Sequence, residues 1–184
     1  MPETRADSDR RDRPIVHLRR CAVADADALF EAARESTALM YPWMPWCHPG
    51  YVIDESRIWL AEQVAAFDAR GAFSFAVIGH DGRYLGGCGL NRIDTVNRRA
   101  NLGYWIRSTA TGRGAATQAV QLARDWAFAH TDLIRLEIVV ATGNQPSLRV
   151  AEKSGALREG VLRRRILLHG VAHDAAIFSF TREP

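Results

Sequence analysis

The stretch that decides the fold is Ala100-Asn-Leu-Gly-Tyr-Trp-Ile-Arg107, followed at once by Ser108-Thr-Ala-Thr-Gly112-Arg-Gly114-Ala-Ala-Thr117. Its first half predicts a strand, and its second half predicts a glycine-rich turn that opens a helix. Because Gly112 and Gly114 have no side chains, backbone amides can close on an anion. The unpaired amides and partial positive charge of the helix start add to the attraction. The turn therefore predicts a phosphate site.

The helix after this turn has a clear apolar face, and its turn is not one of the common nucleotide motifs. A P-loop requires Gly-Lys-Ser/Thr, and a dinucleotide fingerprint requires a third Gly or Ala where Thr117 stands. Taken alone, the segment is better explained as an ordinary turn whose glycines ease the start of a helix. The residues predicted on the buried face are Ala116, Ala119, Val120, Ala123 and Ala127.

A second strand, turn and helix follow in residues 135–155. Asn144 is a typical N-cap residue, and Pro146 lies in the first turn, where a missing N–H does no harm. Gly155 is a typical helix end. By themselves these residues predict the shape of a helix and no ligand.

Taken together, the two segments resemble the GNAT superfamily of N-acetyltransferases. In that family a Gln/Arg-x-x-Gly-x-Gly/Ala loop binds the pyrophosphate of acetyl-CoA, and an Asn before the next helix contacts the pantetheine arm. The last part of that loop is matched by Thr111-Gly-Arg-Gly114-Ala-Ala116. Gly103-Tyr-Trp-Ile106 and Asn144-x-x-Ser147 further resemble the branch of ribosomal-protein N-terminal acetyltransferases (the Rim type). The resemblance runs from about residue 17 to residue 181.

The resemblance implies an α/β (α+β) fold with a mixed, mostly antiparallel sheet flanked by helices. In such a fold the strands that carry residues 104–106 and 136–140 splay apart, and pantetheine lies in the gap, paired with free backbone groups of Trp105 and Ile106. Trp105 could equally be a core aromatic. The implied cofactor is acetyl-CoA, and its expected binding residues are Tyr104, Trp105, Ile106, Thr111, Gly112, Arg113, Gly114, Ala115, Ala116, Thr117, Asn144 and Ser147.

Two residues are candidates for catalysis. Ser147 is expected, from its motif position, to contact the thioester or the thiol, although it could simply be a first-turn helix residue. Glu137 is available on the strand that faces the gap, although strand alternation could send it to solvent. The chain departs from the family at three positions: Thr111 replaces the loop's usual Gln/Arg, Ala151 replaces a tyrosine acid, and Asn101 replaces a glutamate.

Three functions remain open. The first is acetyl transfer to a protein or peptide α-amine, and the second is the same reaction on a small-molecule amine. The third is a non-catalytic acyl-CoA-binding module, which the missing acid and base residues make conceivable. Trp43 and Trp46 lie between the first two predicted helices, where they either line the acceptor groove or pack in the core. A homodimer is a further open expectation.

Composition agrees with one enzyme domain. The chain has 184 residues, of which 47% are hydrophobic, and residues 1–14 form a charged, apolar-poor segment. We therefore predict a flexible tail over residues 1–14 and a single domain over residues 15–184. The chain has no run apolar enough to cross a membrane or to act as a signal peptide, so we expect a cytoplasmic protein.

Charge and cysteine content indicate whether the chain requires nucleic acid or a metal ion as a partner. A net charge of +3 does not require nucleic acid as a partner, because a polyanionic cofactor can use it. The three cysteines, Cys21, Cys47 and Cys88, lack Cys-x-x-Cys spacing, so we expect reduced thiols and no zinc. His169 and His173 are better explained by a hairpin than by a metal site.

Overall fold

Seven strands form one sheet in the order β1-β2-β3-β4-β5-β7-β6. The computed structural model describes residues 16–183. The strands are β1 (Val16–Arg20), β2 (Phe73–Gly79), β3 (Tyr84–Asp94), β4 (Arg99–Ile106), β5 (Arg135–Ala141), β6 (Leu157–Leu168) and β7 (Val171–Thr181). The helices are α1 (Ala26–Met40), α2 (Ile53–Asp68), α3 (Ala115–His130) and α4 (Gln145–Lys153).

This element order is the one that the family resemblance implies, so the predicted fold class is confirmed. His80-Asp-Gly-Arg83 is a typical turn sequence, and the β2–β3 hairpin turns there, with Gly82 in the left-handed region at φ 81°. The sequence predicts a helix over residues 25–35, and helix α1 is longer, since it begins at Ala26 and continues to Met40. The predicted tail, residues 1–14, and the first residue of the predicted domain lie outside the described residues.

Side-chain alternation along β2 shows how the sheet is covered. Phe73, Phe75 and Val77 belong to a core shared with α3, whereas Ala76 and Ile78 belong to a second core with α1. The sheet therefore lies between α3 on one face and α1 with α2 on the other. The prediction of α3's buried face is wrong at one position, because Ala115 is buried there and Ala116 is only partly covered; the fully buried alanines of α3 are Ala119, Ala123 and Ala127.

Strands β4 and β5 are parallel neighbours that separate after a short contact. Their register joins only residues 99–101 to residues 135–137, although β4 continues to Ile106 and β5 to Ala141. All other strand pairs are antiparallel. The predicted splayed central pair is therefore present, and it leaves the end of β4 without a strand on that side.

Several smaller expectations can also be compared with the structure. Cys21, Cys47 and Cys88 are buried free thiols. His169 lies in the predicted β6–β7 hairpin turn, where its Nε2 is 2.8 Å from the Tyr41 carbonyl oxygen. Within residues 16–183, no helix is both long and apolar enough to cross a bilayer. The cytoplasmic location and the homodimer stay predictions.

Candidate active site

A cavity of about 460 Å³, which we call the loop cavity, opens where β4 and β5 separate. Its walls come from the end of β4, the glycine-rich loop (residues 111–117), the first turns of α4 and the segment after α1. The loop and α4 are far apart in sequence, and the sheet brings them together. Lining residues include Met40, Trp43, Met44, Ile106, Pro146, Arg149, Val150 and Lys153.

The glycine-rich loop has the backbone conformation that an anion cradle needs. Gly112 and Gly114 have φ values of 75° and 84°, in the left-handed region that side chains disfavour. Gly114 is the N-cap of α3, and its carbonyl accepts the N–H of Gln118. The N–H groups of the first helical turn therefore point toward the loop cavity without an intrahelical partner. An anion held there also gains from the helix dipole.

The free edge of β4 forms a second wall. Alternate residues of β4 direct their backbone groups to opposite sides, and this alternation corrects the prediction for Trp105. Arg107 N donates to Leu85 O on β3, whereas Arg98 O accepts from Ile134 N on the β5 side. Backbone groups alternate along a strand, so residues 104 and 106 face the open gap while residue 105 faces β3. Ile106 thus offers its backbone as predicted, but the residue that joins it is Tyr104.

The start of α4 places a serine and a tyrosine in contact inside the loop cavity. Asn144 caps the helix, since its Oδ1 accepts the N–H of Ser147 at 3.2 Å. The Tyr104 hydroxyl donates to the Ser147 carbonyl oxygen at 3.0 Å and is also 3.0 Å from Ser147 Oγ. Burial raises the pKa of Tyr104 to about 12, so the phenol is neutral at physiological pH.

An arginine at the end of β4 fixes the approach to the glycine-rich loop. The side chain of Arg107 is 4% exposed and donates to Glu31 Oε1 at 2.6 Å and to Glu35. Glu35 in turn accepts from the hydroxyl of Thr109 at 2.8 Å. The guanidinium, helped by Thr109, lowers the pKa of Glu35 to about 2. This network ties the turn before the loop to α1, and no feature of the sequence pointed to it.

The family comparison agrees with this geometry. Residues 16–157 match the family model described as an acetyltransferase (GNAT) domain. The chain belongs to the GNAT acetyltransferase family. It therefore carries an N-acetyltransferase domain, and the acetyl donor of such domains is acetyl-CoA.

Individual GNAT relatives cover different shares of the chain. YdaF of Bacillus subtilis, named as a proposed ribosomal N-acetyltransferase, is 36% identical over 103 residues, 56% of each protein. Spermidine N(1)-acetyltransferase of Escherichia coli is 31% identical over 99 residues, 54% of this chain and 53% of that protein. The chain thus spans about half the length of these curated relatives. RimJ of Mycobacterium smegmatis, solved with CoA-disulfide, is 26% identical, with a TM-score of 0.80 over 90% of this chain and 81% of that one.

The residues of this GNAT domain fit acetyl-CoA. The left-handed glycines leave room for a pyrophosphate, and the open edge of β4 offers backbone partners for the amides of pantetheine. All predicted cofactor residues except Arg113 line the loop cavity, namely Tyr104, Trp105, Ile106, Thr111, Gly112, Gly114, Ala115, Ala116, Thr117, Asn144 and Ser147. Arg113 is exposed and does not line it. Their contact with acetyl-CoA stays a prediction.

Glu137, the second catalytic candidate, forms ion pairs with two arginines. It lines neither the loop cavity nor the second cavity described below. Its Oε1 is 2.8 Å from Arg135 Nε and 3.8 Å from Arg99. Leu136 and Ile138 take the core positions on β5, so strand alternation places Glu137 on the other face of the sheet, in register with Asn101 of β4. The role of Glu137 as a general base stays a prediction.

The three departures from the family pattern have local explanations. The Thr111 hydroxyl donates to the Ser108 carbonyl oxygen at 2.9 Å and shapes the loop's approach. Ala151 is fully buried, so α4 packs against the core where relatives carry a tyrosine. Asn101 donates to Asn91 Oδ1 at 3.0 Å. Sequence reasoning missed the Tyr104 hydroxyl because only the fold brings it to Ser147, 43 residues away.

A second cavity, also of about 460 Å³, lies on the face of the sheet covered by α1 and α2. We call it the aromatic pocket. It shares Met44, Tyr104 and Trp105 with the loop cavity, so the two meet at β4. Its other lining residues include Leu29, Trp46, Tyr51, Glu55, Trp59, Ser74, Gly87, Gly89, Asn91 and Gly103.

The two tryptophans singled out in the sequence belong to different cavities. Trp46 lines the aromatic pocket, is 39% exposed and contacts Trp105 edge-to-face, with ring centroids 5.5 Å apart. Trp43 lines the loop cavity, where a Cβ on Gly143 would lie 3.2 Å from its ring. Neither residue is part of a buried core. The prediction of a shared groove therefore fits Trp46 only.

Proposed function

We propose that this chain transfers acetyl directly from acetyl-CoA to a primary amine, and that the amine is the α-amine of a protein or peptide. The observation that carries the proposal is the meeting of the loop cavity and the aromatic pocket at Tyr104 and Trp105. A donor in one cavity and an acceptor in the other can react across β4 without a covalent enzyme intermediate. Holding both reactants in one geometry removes much of the entropic barrier.

Acetyl-CoA supplies an acetyl thioester. As the amine nitrogen bonds to the carbonyl carbon, the carbon–sulfur bond breaks, the nitrogen loses a proton to solvent and the sulfur leaves as a thiolate that gains one. We assign to Ser147 Oγ–H a hydrogen bond to the leaving sulfur. The Tyr104 hydroxyl donates to the Ser147 carbonyl oxygen, which leaves the serine proton free to turn toward the ligand. Tyr104 is thus a positioning residue.

The choice of an α-amine follows from the carboxylates. Among the described residues that line the two cavities, the only carboxylate is Glu55. Its oxygens are engaged by Val52 N–H at 2.8 Å and by His48 Nε2 at 3.0 Å, and these contacts lower its pKa. With ordinary pKa values, roughly one α-amine in seven is neutral at pH 7, against about one lysine in 2,500. An α-amine therefore needs far less help from a base.

A small-molecule amine is the second candidate. The match to spermidine N(1)-acetyltransferase over 99 residues favours it, because part of this chain resembles an enzyme named for a small polyamine. The α-amine of a free amino acid would meet the same chemical requirement as a peptide N-terminus.

The deciding experiment measures thiol release from acetyl-CoA with two peptides at equal concentration. One has a free N-terminus and no lysine, and the other has a blocked N-terminus and one lysine. We expect faster acetylation of the free N-terminus, checked by mass spectrometry. Faster acetylation of the blocked peptide would contradict the α-amine proposal. Inactivity toward both, with spermidine and free amino acids as substrates, would favour the small-molecule reading, and no turnover with any amine would favour a binding module.

A further inference from the structure

The floor of the aromatic pocket is a row of small residues across three strands. Gly89 on β3 pairs with Ser74 on β2 and with Gly103 on β4. The next row, toward the C-terminal end of β4, pairs Gly87 with Trp105. A Cβ on Gly87 would lie 2.7 Å from the indole nitrogen of Trp105. The sheet therefore presents bare backbone beside an indole ring. A ligand group can lie directly on this floor.

The walls of the pocket are rings that hold one another in place. Trp46 contacts Trp105 and Tyr51 edge-to-face, with centroids 5.5 Å and 5.6 Å apart. The Tyr51 hydroxyl is 2.8 Å from Ser56 Oγ, so its position is fixed by a hydrogen bond. Trp59 adds a fourth ring from α2. Rings in mutual contact lose little freedom when a ligand binds, which favours tight binding of an apolar group.

The polar side chains of the lining have partners within the protein. Ser74 Oγ donates to Gln63 at 2.8 Å, Asn91 accepts from Asn101, and Glu55 holds His48 and the Val52 amide. Glu55, the one carboxylate among the described lining residues, thus already accepts two hydrogen bonds from the protein. The rest of the lining is mainly aromatic rings and glycine backbone.

We propose that the aromatic pocket selects acceptor amines that carry a large apolar group beside the amine, either the side chain of a peptide's first residue or the ring of a small arylalkylamine. The inference rests on the proposed function, since the pocket adjoins the reaction site at Tyr104 and Trp105. Its volume of about 460 Å³ exceeds what a methyl group needs. An aromatic or branched aliphatic group can fill the space above the glycine floor.

Gly103 offers a clean test because the structure tolerates a side chain there. A Cβ at this position would meet only the Asn101 and Asn91 side chains, at 3.8 and 3.9 Å, and φ lies outside the left-handed region. Gly103→Leu should therefore fold and fill the pocket, and Gly103→Ala is a milder second variant. Gly71→Leu is the matched control, because Gly71 is exposed, outside both cavities and has its nearest neighbour at 3.9 Å.

The assay compares tripeptides that begin with Phe or with Ala, together with phenethylamine, ethylamine and spermidine. For the parent protein we expect kcat/KM to favour Phe over Ala, and phenethylamine over ethylamine, by about tenfold or more. Gly103→Leu should remove that preference, because kcat/KM should fall about tenfold more for the Phe peptide than for the Ala peptide, and Gly71→Leu should keep the parent preference. Calorimetry of both peptides in the presence of CoA supplies a readout that needs no turnover.

The outcomes separate this inference from the proposed function. Equal or better use of the Ala peptide, an unchanged preference in Gly103→Leu, or spermidine as the best substrate would each overturn the inference. If no amine is acetylated but calorimetry shows selective binding of the Phe peptide that Gly103→Leu abolishes, the pocket assignment stands and the proposed function fails. A preference for phenethylamine over the Phe peptide would identify a small amine as the source of the apolar group.

Discussion

The loop cavity and the aromatic pocket have similar volumes, but they are built in opposite ways. The loop cavity presents backbone groups from two short segments, the glycine-rich loop and the start of α4, together with the free edge of β4. The aromatic pocket presents side chains and bare glycines from α1, α2, the segment between these helices, β2, β3 and β4. Backbone recognition is set by local dihedral angles, whereas side-chain recognition depends on how distant segments pack.

This difference separates a general function from a specific one. A pyrophosphate cradle made of N–H groups tolerates many side chains around it, so one cofactor can be shared by a whole family. A pocket made of Trp46, Trp59 and Trp105 can change its occupant with one substitution. The following experiments test the contrast, beginning with the largest expected effect.

The largest effect is expected where a charge enters the cradle. Ala116→Asp places a carboxylate in the first turn of α3, inside the loop cavity. The helix tolerates an acidic residue there because of its dipole, but an anion would meet a like charge. We expect acetyl-CoA binding to weaken by roughly a hundredfold or more in calorimetry.

Ala129→Asp is the control for this experiment. It adds the same charge to the exposed side of the same helix, near its far end. We expect acetyl-CoA affinity close to that of the parent. Equal affinities for Ala116→Asp and Ala129→Asp would remove the cofactor assignment from the loop and leave a plain helix start.

The second effect concerns Ser147, which lines the loop cavity and contacts Tyr104. Ser147→Ala removes the hydroxyl assigned to the leaving sulfur, so kcat should fall on the order of tenfold to a hundredfold while KM for acetyl-CoA changes little. The loss of one hydrogen bond to Tyr104 should lower stability by about 1 kcal/mol. A variant with a lower melting temperature and an intact rate would show a structural role only.

A double-mutant cycle provides the control for that assignment. Tyr104→Phe keeps the ring and removes the hydroxyl that contacts Ser147. If the phenol acts by positioning the serine, Tyr104→Phe should reduce kcat in the parent and have almost no effect in the Ser147→Ala background. Additive losses in the double variant would indicate that Tyr104 acts independently of Ser147.

The sequence predicted the loop cavity far better than the aromatic pocket, for a physical reason. Gly112, Gly114 and Asn144 encode local backbone states, and the structure has each state as predicted. The direction of backbone groups along a strand is not encoded in the same way, so the backbone direction predicted at Trp105 was wrong and the side-chain direction at Glu137 stayed open. The reversal follows from register, which depends on a neighbouring strand rather than on the residue itself.

Tertiary contacts account for the rest of what the sequence could not predict. The Tyr104–Ser147 pair and the Arg107 network each join residues more than 40 positions apart. The row formed by Ser74, Gly89 and Gly103 exists only after three strands have aligned. An isolated glycine in a strand indicates that another group lies close to the backbone, but it does not identify that group.

The third effect is a dependence of stability on pH. It concerns Glu35, which binds Arg107 and Thr109 just before the glycine-rich loop. Arg107 and Thr109 lower the pKa of Glu35 from its ordinary 4.5 to about 2. A carboxyl group with a depressed folded-state pKa adds stability that is fully present above pH 4.5 and is lost as pH falls toward 2. Glu35→Gln should therefore lower the melting temperature by a few degrees at pH 7, and the gap from the parent should close between pH 4.5 and 2.

Glu31→Gln is the matched control because Glu31 contacts the same guanidinium nitrogen, but its side chain is 68% exposed, against 25% for Glu35. Solvent screening should make its effect on the melting temperature smaller. An equal loss in both variants, or a gap for Glu35→Gln that persists at pH 2, would show that the Arg107–Glu35 pair is not the source of the acid dependence.

The smallest effect is expected at Glu137, and it tests whether a general base is needed at all. Glu137 lies outside both cavities, and its neighbour Arg135 keeps a second carboxylate partner in Glu159. Glu137→Gln preserves the size of the side chain, so kcat/KM should stay within about twofold of the parent, with the same pH profile. A base that accepts the amine proton would behave differently, because its removal abolishes an ionisation in the pH dependence of kcat/KM. A tenfold loss together with that change would restore Glu137 as the base and weaken the argument for an α-amine acceptor, which depends on a site without one.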